Sequence, residues 1–283
     1  MEDLIQSNNK TFVPITSDYG FKATFGNESH PLFLKKALQA LIKSKTPIKQ
    51  INYVKNAFEG LTIDSRSGIY DVACTDENDN HFIVEMQMGH SPNFVQRMKF
   101  YGLHKLNVLV KKGEFNYAKL PRIYCVALLE KNILPYTDYH SIVNLRNEKG
   151  ELIDSQMTFV IAELDKFDKE ENEIETDLDK LLWIMKNLHT TQPIALPTFI
   201  NEDWLKQAIG DLDTRQMSIE ERYAYEYALA ANAEVVNAGR QKNILMVEKM
   251  LKRGKLTPLE ISEDLGLDID FVLNVQNQLN LDN

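Results

Sequence analysis

The chain has 283 residues, 43% of them hydrophobic and 26% charged, a globular balance that excludes a disordered or fibrous protein and suffices for one large domain or one domain with an appendage. Its net charge of −9 is unevenly spread, with 19 Lys and Arg against 17 Asp and Glu in residues 1–160 and 13 against 24 in the remainder. Strong charge-driven DNA binding is therefore not expected, although a near-neutral N-terminal half leaves room for a local basic surface and a metal to meet phosphate.

In chain order, the opening MEDLIQSNNK lacks the basic and apolar stretches of a signal peptide, and nowhere do 18 apolar residues run together, so a cytoplasmic protein without a membrane span is expected. Residues 1–30 form an arm. Pro31 then opens a helix, PLFLKKALQALIKS, closed by Thr46-Pro47. Ile51 to Phe58 reads as a strand ended by Glu59-Gly60. Ser91-Pro92 signals a helix start, Ser as cap and Pro in the first turn, for a helix reaching about Val110. Pro121 to Leu129 and Thr158 to Leu164 are dense apolar strands. Cys74 and Cys125, each inside an expected strand, read as small buried apolar residues in a reducing compartment.

Between the first strand and the Ser91 helix lies the segment richest in chemistry, Gly68 to Met88, GIYDVACTDENDNHFIVEMQM. An apolar run carrying Asp71, a polar turn and an apolar run carrying Glu85 and Gln87 predict a β-hairpin. Strand side chains alternate faces, so Glu85 and Gln87 share one. A hairpin symmetric about Asn78 sets residue 71 opposite residue 85, where opposed Cβ atoms lie about 4.5–5.5 Å apart. A slip of one residue turns one carboxylate to the other face. Acids within apolar strands are costly unless paired, hydrogen-bonded or bound to metal, and two on one face repel. Mg²⁺ or Mn²⁺ relieves that repulsion and leaves coordination positions for water and phosphate. The same residues also suit an edge hairpin with a solvated acidic face, and spacing alone leaves both readings open.

After Leu164 the composition turns acidic, Asp165 to Lys180 reading as a solvated linker or helix face. Helices are expected at 176–189, 202–210, 218–238, 241–253, 258–265 and 269–280. The last two, joined at Gly266 and capped by Thr257 and Asp268, have a helix-turn-helix shape. The second of them holds no Lys or Arg, so DNA reading and protein contact both remain open. His81, His90 and His104 fall in no zinc-binding spacing, and no phosphate-binding loop is present.

Asp71 followed by Glu85-Met86-Gln87 resembles the PD-(D/E)XK nuclease superfamily, whose signature is an Asp on one strand and (D/E)-x-K on the next. The surrounding text resembles its Rpn-type recombination-promoting nuclease branch, also called putative transposases, in which V-E-M-Q is common. Asp18-Tyr19-Gly20-Phe21-Lys22-Ala23-Thr24-Phe25-Gly26, Gln96-Arg97-Met98-Lys99-Phe100-Tyr101 and the late segments Met250 to Gly254 and Ile261 to Leu267 carry the likeness over nearly the whole chain. It implies an α/β restriction-endonuclease-like αβββαβ core with a mixed sheet flanked by helices over residues 1–165. An all-helical region, 166–283, follows.

The resemblance also implies a metal-dependent DNA endonuclease acting in recombination or mobile-element processing. Asp71, Glu85 and the Met86 carbonyl would hold Mg²⁺ or Mn²⁺, Gln87 would position water, and Asp18 with Lys22 would assist. Arg97, Lys99 and Tyr101 would reach the substrate. Gln87 stands where the superfamily has lysine and brings no positive charge, so Lys22, Arg97 or Lys99 would have to supply it. That departure and the acidic C-terminal half fit a rival reading, a nuclease-fold scaffold or binding module with little cleavage. DNA is the expected partner and a homodimer a further expectation, since cutting both strands takes two sites.

Overall fold

The structure, a computed structural model, describes residues 11–58, 67–89, 91, 93–110 and 116–281. The chain divides into two compact units, 1–218 and 219–283. The first unit therefore reaches well past residue 165, where composition suggested a boundary. Its helices are α1 (Asp18–Thr24), α2 (Leu32–Leu41), α3 (Phe94–Leu109), α4 (Asp177–Asn187) and α5 (Asp203–Leu212). Its strands are β1 (Ile51–Tyr53), β2 (Ala57–Phe58), β3 (Gly68–Ile69), β4 (Val72–Asp76), β5 (His81–Gln87), β6 (Ile123–Leu129), β7 (His140–Arg146) and β8 (Leu152–Glu163).

Among the described residues six strands form one mixed sheet in the order β1-β4-β5-β6-β8-β7, and β2 pairs with β3. The neighbours β1/β4, β4/β5 and β7/β8 are antiparallel, while β5/β6 and β6/β8 are parallel. A tight turn suffices for the β4–β5 hairpin, whereas the parallel β5–β6 pair needs the α3 crossover. Taken in order, α2, β1, β4, β5, α3 and β6 reproduce the expected αβββαβ core. The middle strands are apolar on both faces because both are covered. On one face α3 buries Phe94 and Met98 against Ile83, Cys125 and Ala127, while Val84, Val126, Leu128 and Val160 are fully buried on the other.

Several boundaries differ from the sequence expectation. The Ile51–Phe58 strand breaks into β1 and β2, with Val54 N–H still bonded to the Ala73 carbonyl; Glu59 and Gly60 lie outside the described residues. Helix α2 stops at Leu41, before Thr46-Pro47, as Lys43 takes a left-handed φ of 50°. Helix α3 starts at Phe94, after Asn93, so Ser91 is not its cap. Strand β7 was not foreseen: it is an edge strand whose Val143 and Leu145 are exposed, which blurs the alternation that marks a half-buried strand. The acidic stretch after Leu164 is anchored rather than free. Phe167 is buried, Lys169 meets the buried Asp179 at 2.8 Å, and α4 packs on α2.

A buried clamp holds the end of β8. Glu163, 1% exposed, accepts hydrogen bonds from Ile133 N–H (2.6 Å) and Leu134 N–H (2.9 Å), and its other oxygen meets the Lys166 ammonium. Two glycines set helix positions by close approach. A Cβ on Gly20 would lie 2.1 Å from the Pro14 carbonyl oxygen, and one on Gly102 would lie 2.8 Å from Cys125 Sγ.

In the second unit, α6 (Ile219–Arg253), α7 (Pro258–Leu265) and α8 (Ile269–Leu281) bury Val247, Ile261, Val272 and Val275 together. The two helices expected at 218–238 and 241–253 are one. Gly239, in open space, costs a helix interior only about 1 kcal/mol. Thr257 and Glu260 form a capping box, Gly266 adopts φ 61°, and Asp268 accepts from Asp270 N–H at 2.7 Å, as the sequence predicts for the helix–turn–helix outline. The outer face of α8 presents Asp270, Asn274, Asn277 and Gln278. Among the described residues, no helix is long and apolar enough to cross a membrane.

Because the contact at Gly20 is with backbone, which cannot rotate away, Gly20→Ala should cost about 1–3 kcal/mol. Thermal unfolding of the variant beside wild type checks this; an unchanged midpoint would show that α1 can shift freely.

Candidate active site

The β4–β5 ladder pairs Val72 with Val84, Ala73 with Ile83, Cys74 with Phe82 and Thr75 with His81, which is the register symmetric about Asn78. The turn is fixed by Asp76, whose carboxylate accepts from the N–H groups of Asn78 and Asn80 and from the Asn80 amide, all within 2.9 Å. Asp79 takes the left-handed conformation, φ 57°, which Asp tolerates better than most residues.

One step beyond the last ladder pair, Asp71 and Glu85 meet through crossed backbone contacts. Asp71 N–H donates to Glu85 Oε1 at 3.2 Å, and Met86 N–H donates to Asp71 Oδ2 at 2.8 Å. Glu85 is 4% exposed. Burial, and next the Asp71 charge, raise its pKa from 4.5 to about 8, against the lowering effect of the Asp71 N–H and of Arg97. Asp71 keeps more contact with solvent, yet the protein packed around it also raises its pKa; the Met86 N–H, Arg97 and Lys22 oppose this and Asp18 adds to it.

The remaining expected residues separate into three groups. Asp18 and Lys22 form an ion pair at 2.8 Å on the exposed face of α1, whose cap is Ser17. Both line a recess of about 190 Å³ with Thr16, Phe21, Asp71, Met86 and Met88, so α1 does reach Asp71. Gln87 and Arg97 form a second group: Arg97 Nη2 donates to Gln87 Oε1 at 2.7 Å, and the guanidinium carbon sits 4.8 Å from the Phe94 ring centre.

Lys99 and Tyr101 are placed elsewhere. Two residues past Arg97, Lys99 points from another side of α3 and lines a separate recess with Met98, Tyr136 and Phe159. Tyr101 packs edge-on against Tyr70 and Phe58, with ring centres 5.2 and 5.5 Å away. Tyr70 is a residue that spacing alone did not single out. Its buried hydroxyl has no hydrogen-bond partner among the described residues, and burial, with the Glu85 charge among the lesser causes, pushes its pKa up. Its place next to Asp71 was the available signal.

Among the described residues no three His, Cys, Asp or Glu side chains converge to hold an ion. Two carboxylates with backbone oxygen are nonetheless a fitting donor set for a hard divalent cation, which takes one or two carboxylates and keeps several waters. Met86 can contribute its carbonyl. The Gln87 carbonyl accepts from Glu130 N–H on the β6 side, and successive strand carbonyls alternate in direction. The Met86 carbonyl thus points, like its N–H, toward Asp71. Glu85, whose pKa burial and next the Asp71 charge raise to about 8, is a position where a cation can take the place of a proton.

The family profile of PD-(D/E)XK nuclease family transposases matches residues 15–238. No curated protein and no solved structure matches the chain significantly.

The Glu85 shift makes a stability prediction. The unfolded chain ionises Glu85 near 4.5 and the folded one near 8, so stability should fall as pH rises across that window. Each pKa unit corresponds to about 1.4 kcal/mol, so the loss should amount to a few kcal/mol. In EDTA, Glu85→Gln should therefore raise the melting temperature at pH 9 and leave it little changed at pH 4.5; an equal effect at both would remove Glu85 as the cause.

Proposed function

The chain belongs to the PD-(D/E)XK nuclease family transposases, and on that premise we propose that it is a divalent-metal-dependent DNA endonuclease working in recombination or mobile-element processing. The observation that carries the reading is the buried Glu85 crossed with Asp71 at the C-terminal end of β5. Open α/β sheets bind ligands at the carboxyl ends of their strands.

Asp71 and Glu85 would hold Mg²⁺ or Mn²⁺ together with the Met86 carbonyl. Such an ion acts as a Lewis acid toward the phosphate and lowers the pKa of bound water. In the hydrolysis one water oxygen would add to phosphorus, the phosphorus–oxygen bond to the leaving group would break, and the proton lost by the water would pass through solvent to the departing oxygen, leaving a phosphomonoester and a free hydroxyl. The protein's own contribution is placement. The Glu85 carboxylate is held by the Asp71 N–H and the Asp71 carboxylate by the Met86 N–H, Gln87 stands two residues on along the same face as Glu85, and Lys22 and Arg97 bring positive charge toward Asp71 from α1 and α3. Asp18 holds Lys22 and is an auxiliary acid at the recess. Lys99 and Tyr101 would contact DNA only at a distance from the carboxylates. Two copies of the chain acting on opposite strands would account for a double-strand cut, and sedimentation as a monomer on DNA would count against such a dimer. A cytoplasmic location accords with this chemistry.

The test is cleavage of supercoiled plasmid with Mg²⁺ or Mn²⁺ by wild type, Asp71→Ala and Glu85→Ala, alongside Mn²⁺-dependent thermal shifts. Wild type should cut, and each variant should lose activity by at least about 10²-fold. A ligand at 100 times its dissociation constant stabilises by about 2.7 kcal/mol, so Mn²⁺ should raise the melting temperature of wild type alone. No cutting and no Mn²⁺ shift would favour the rival, a nuclease-fold scaffold, to which Gln87 and the acidic C-terminal half also point.

A further inference from the structure

Gln87 replaces a lysine, and the orientation of its amide decides what it can do in that place. A guanidinium has only donors. At 2.7 Å from Arg97 Nη2, the amide must therefore present its oxygen to Arg97, which turns the NH₂ group away from the helix. Arg97 cannot easily swing aside. It is half-buried over the Phe94 ring, its Nε is buried without a partner among the described residues, and α3 is seated on the sheet by Phe94 and Met98. Gln87 projects from the same strand face as Glu85, two residues away, so its NH₂ is offered on the face that bears Glu85.

We propose that Arg97 and Gln87 act together in place of the lysine. Arg97 is a positioning residue that locks the amide and lends it positive charge, and the Gln87 NH₂ donates a hydrogen bond to the phosphate or to the attacking water. This rests on the endonuclease reading and deepens it. A lysine ammonium unites donor and charge in one group, whereas here they come from two residues on different elements. The pair carries a built-in constraint: a cation at position 87 would face Arg97, so lysine is compatible with this site only if Arg97 is absent. It also directs the chemistry toward donation, since Arg97 already takes one lone pair of the amide oxygen and the NH₂ can only donate.

The experiment compares wild type with Gln87→Glu, Arg97→Met, Gln87→Lys and the double variant Gln87→Lys/Arg97→Met. Plasmid cleavage in Mg²⁺ is read beside anisotropy of a fluorescein-labelled duplex in Ca²⁺, with Mn²⁺ thermal shifts as the control for the carboxylates. Gln87→Glu keeps an acceptor for Arg97 but loses the donor, so cleavage should fall by about 10²-fold or more with the Mn²⁺ shift retained. Arg97→Met and Gln87→Lys should each fall comparably, and Arg97→Met should weaken duplex binding. The double variant should recover most of the cleavage and binding. If wild type cuts while Gln87→Glu cuts equally well, or if the double variant does no better than Arg97→Met, this inference is overturned and the endonuclease reading stands. If wild type neither cuts nor binds the duplex, both fall.

Discussion

Bringing Asp71 against Glu85 depends on the register of one hairpin ladder of four pairs, and that register is held at both ends by acids. At the turn, Asp76 gathers three donors from Asn78 and Asn80, which fixes the number of residues between the strands. At the open end, the two carboxylates each accept an N–H from the other's strand. A shift of one residue would exchange the two packed faces of β5, and both its neighbours would oppose it: β4 on one side and the parallel β6, paired over seven residues, on the other. The apolar core thus enforces an arrangement that electrostatics alone would resist, since two like charges repel more strongly the drier their surroundings.

Helix α3 turns this strained pair into a site. It begins just after β5 because a parallel return to β6 requires a crossover, and its first turns lie over the ends of the strands that bear the acids. Arg97 is thereby delivered to Gln87 by topology, ten residues away in the chain. The same helix buries Phe94 and Met98, so its apolar face fixes the direction of its charged one. Helix α1 reaches the site from the opposite direction in the chain, with Gly20 tight against Pro14 and Lys22 held by Asp18.

Much of this was legible in the residues themselves. The symmetric turn around Asn78, the apolar β6 and the Thr257–Pro258 helix start are local signals with local causes, and the structure follows them. The crossed backbone contacts at Asp71 and Glu85 were not legible, because hydrogen-bond partners depend on where the ladder ends and not on residue type. Nor was the separation of Arg97 from Lys99, which share a basic run but leave α3 on different sides. The edge strand β7 was hidden by its exposed Val143 and Leu145. The extent of the first unit was hidden because the acidic stretch after Leu164 looks solvated until Lys169 and Asp179 are seen paired.

The contact at Gly102 gives the site a mechanical dimension. With no side chain of its own, Gly102 lets α3 settle onto Cys125, where even a methyl group would approach the sulfur to 2.8 Å. Arg97 lies five residues earlier, about 7.5 Å along the helix axis at 1.5 Å per residue. The helix therefore behaves as a short lever whose fulcrum is a thiol buried beneath it. The spacing between guanidinium and amide is gauged from below, by the size of two small residues apart from the carboxylate pair, and any bulk gained there would be read out at the far end as a gap.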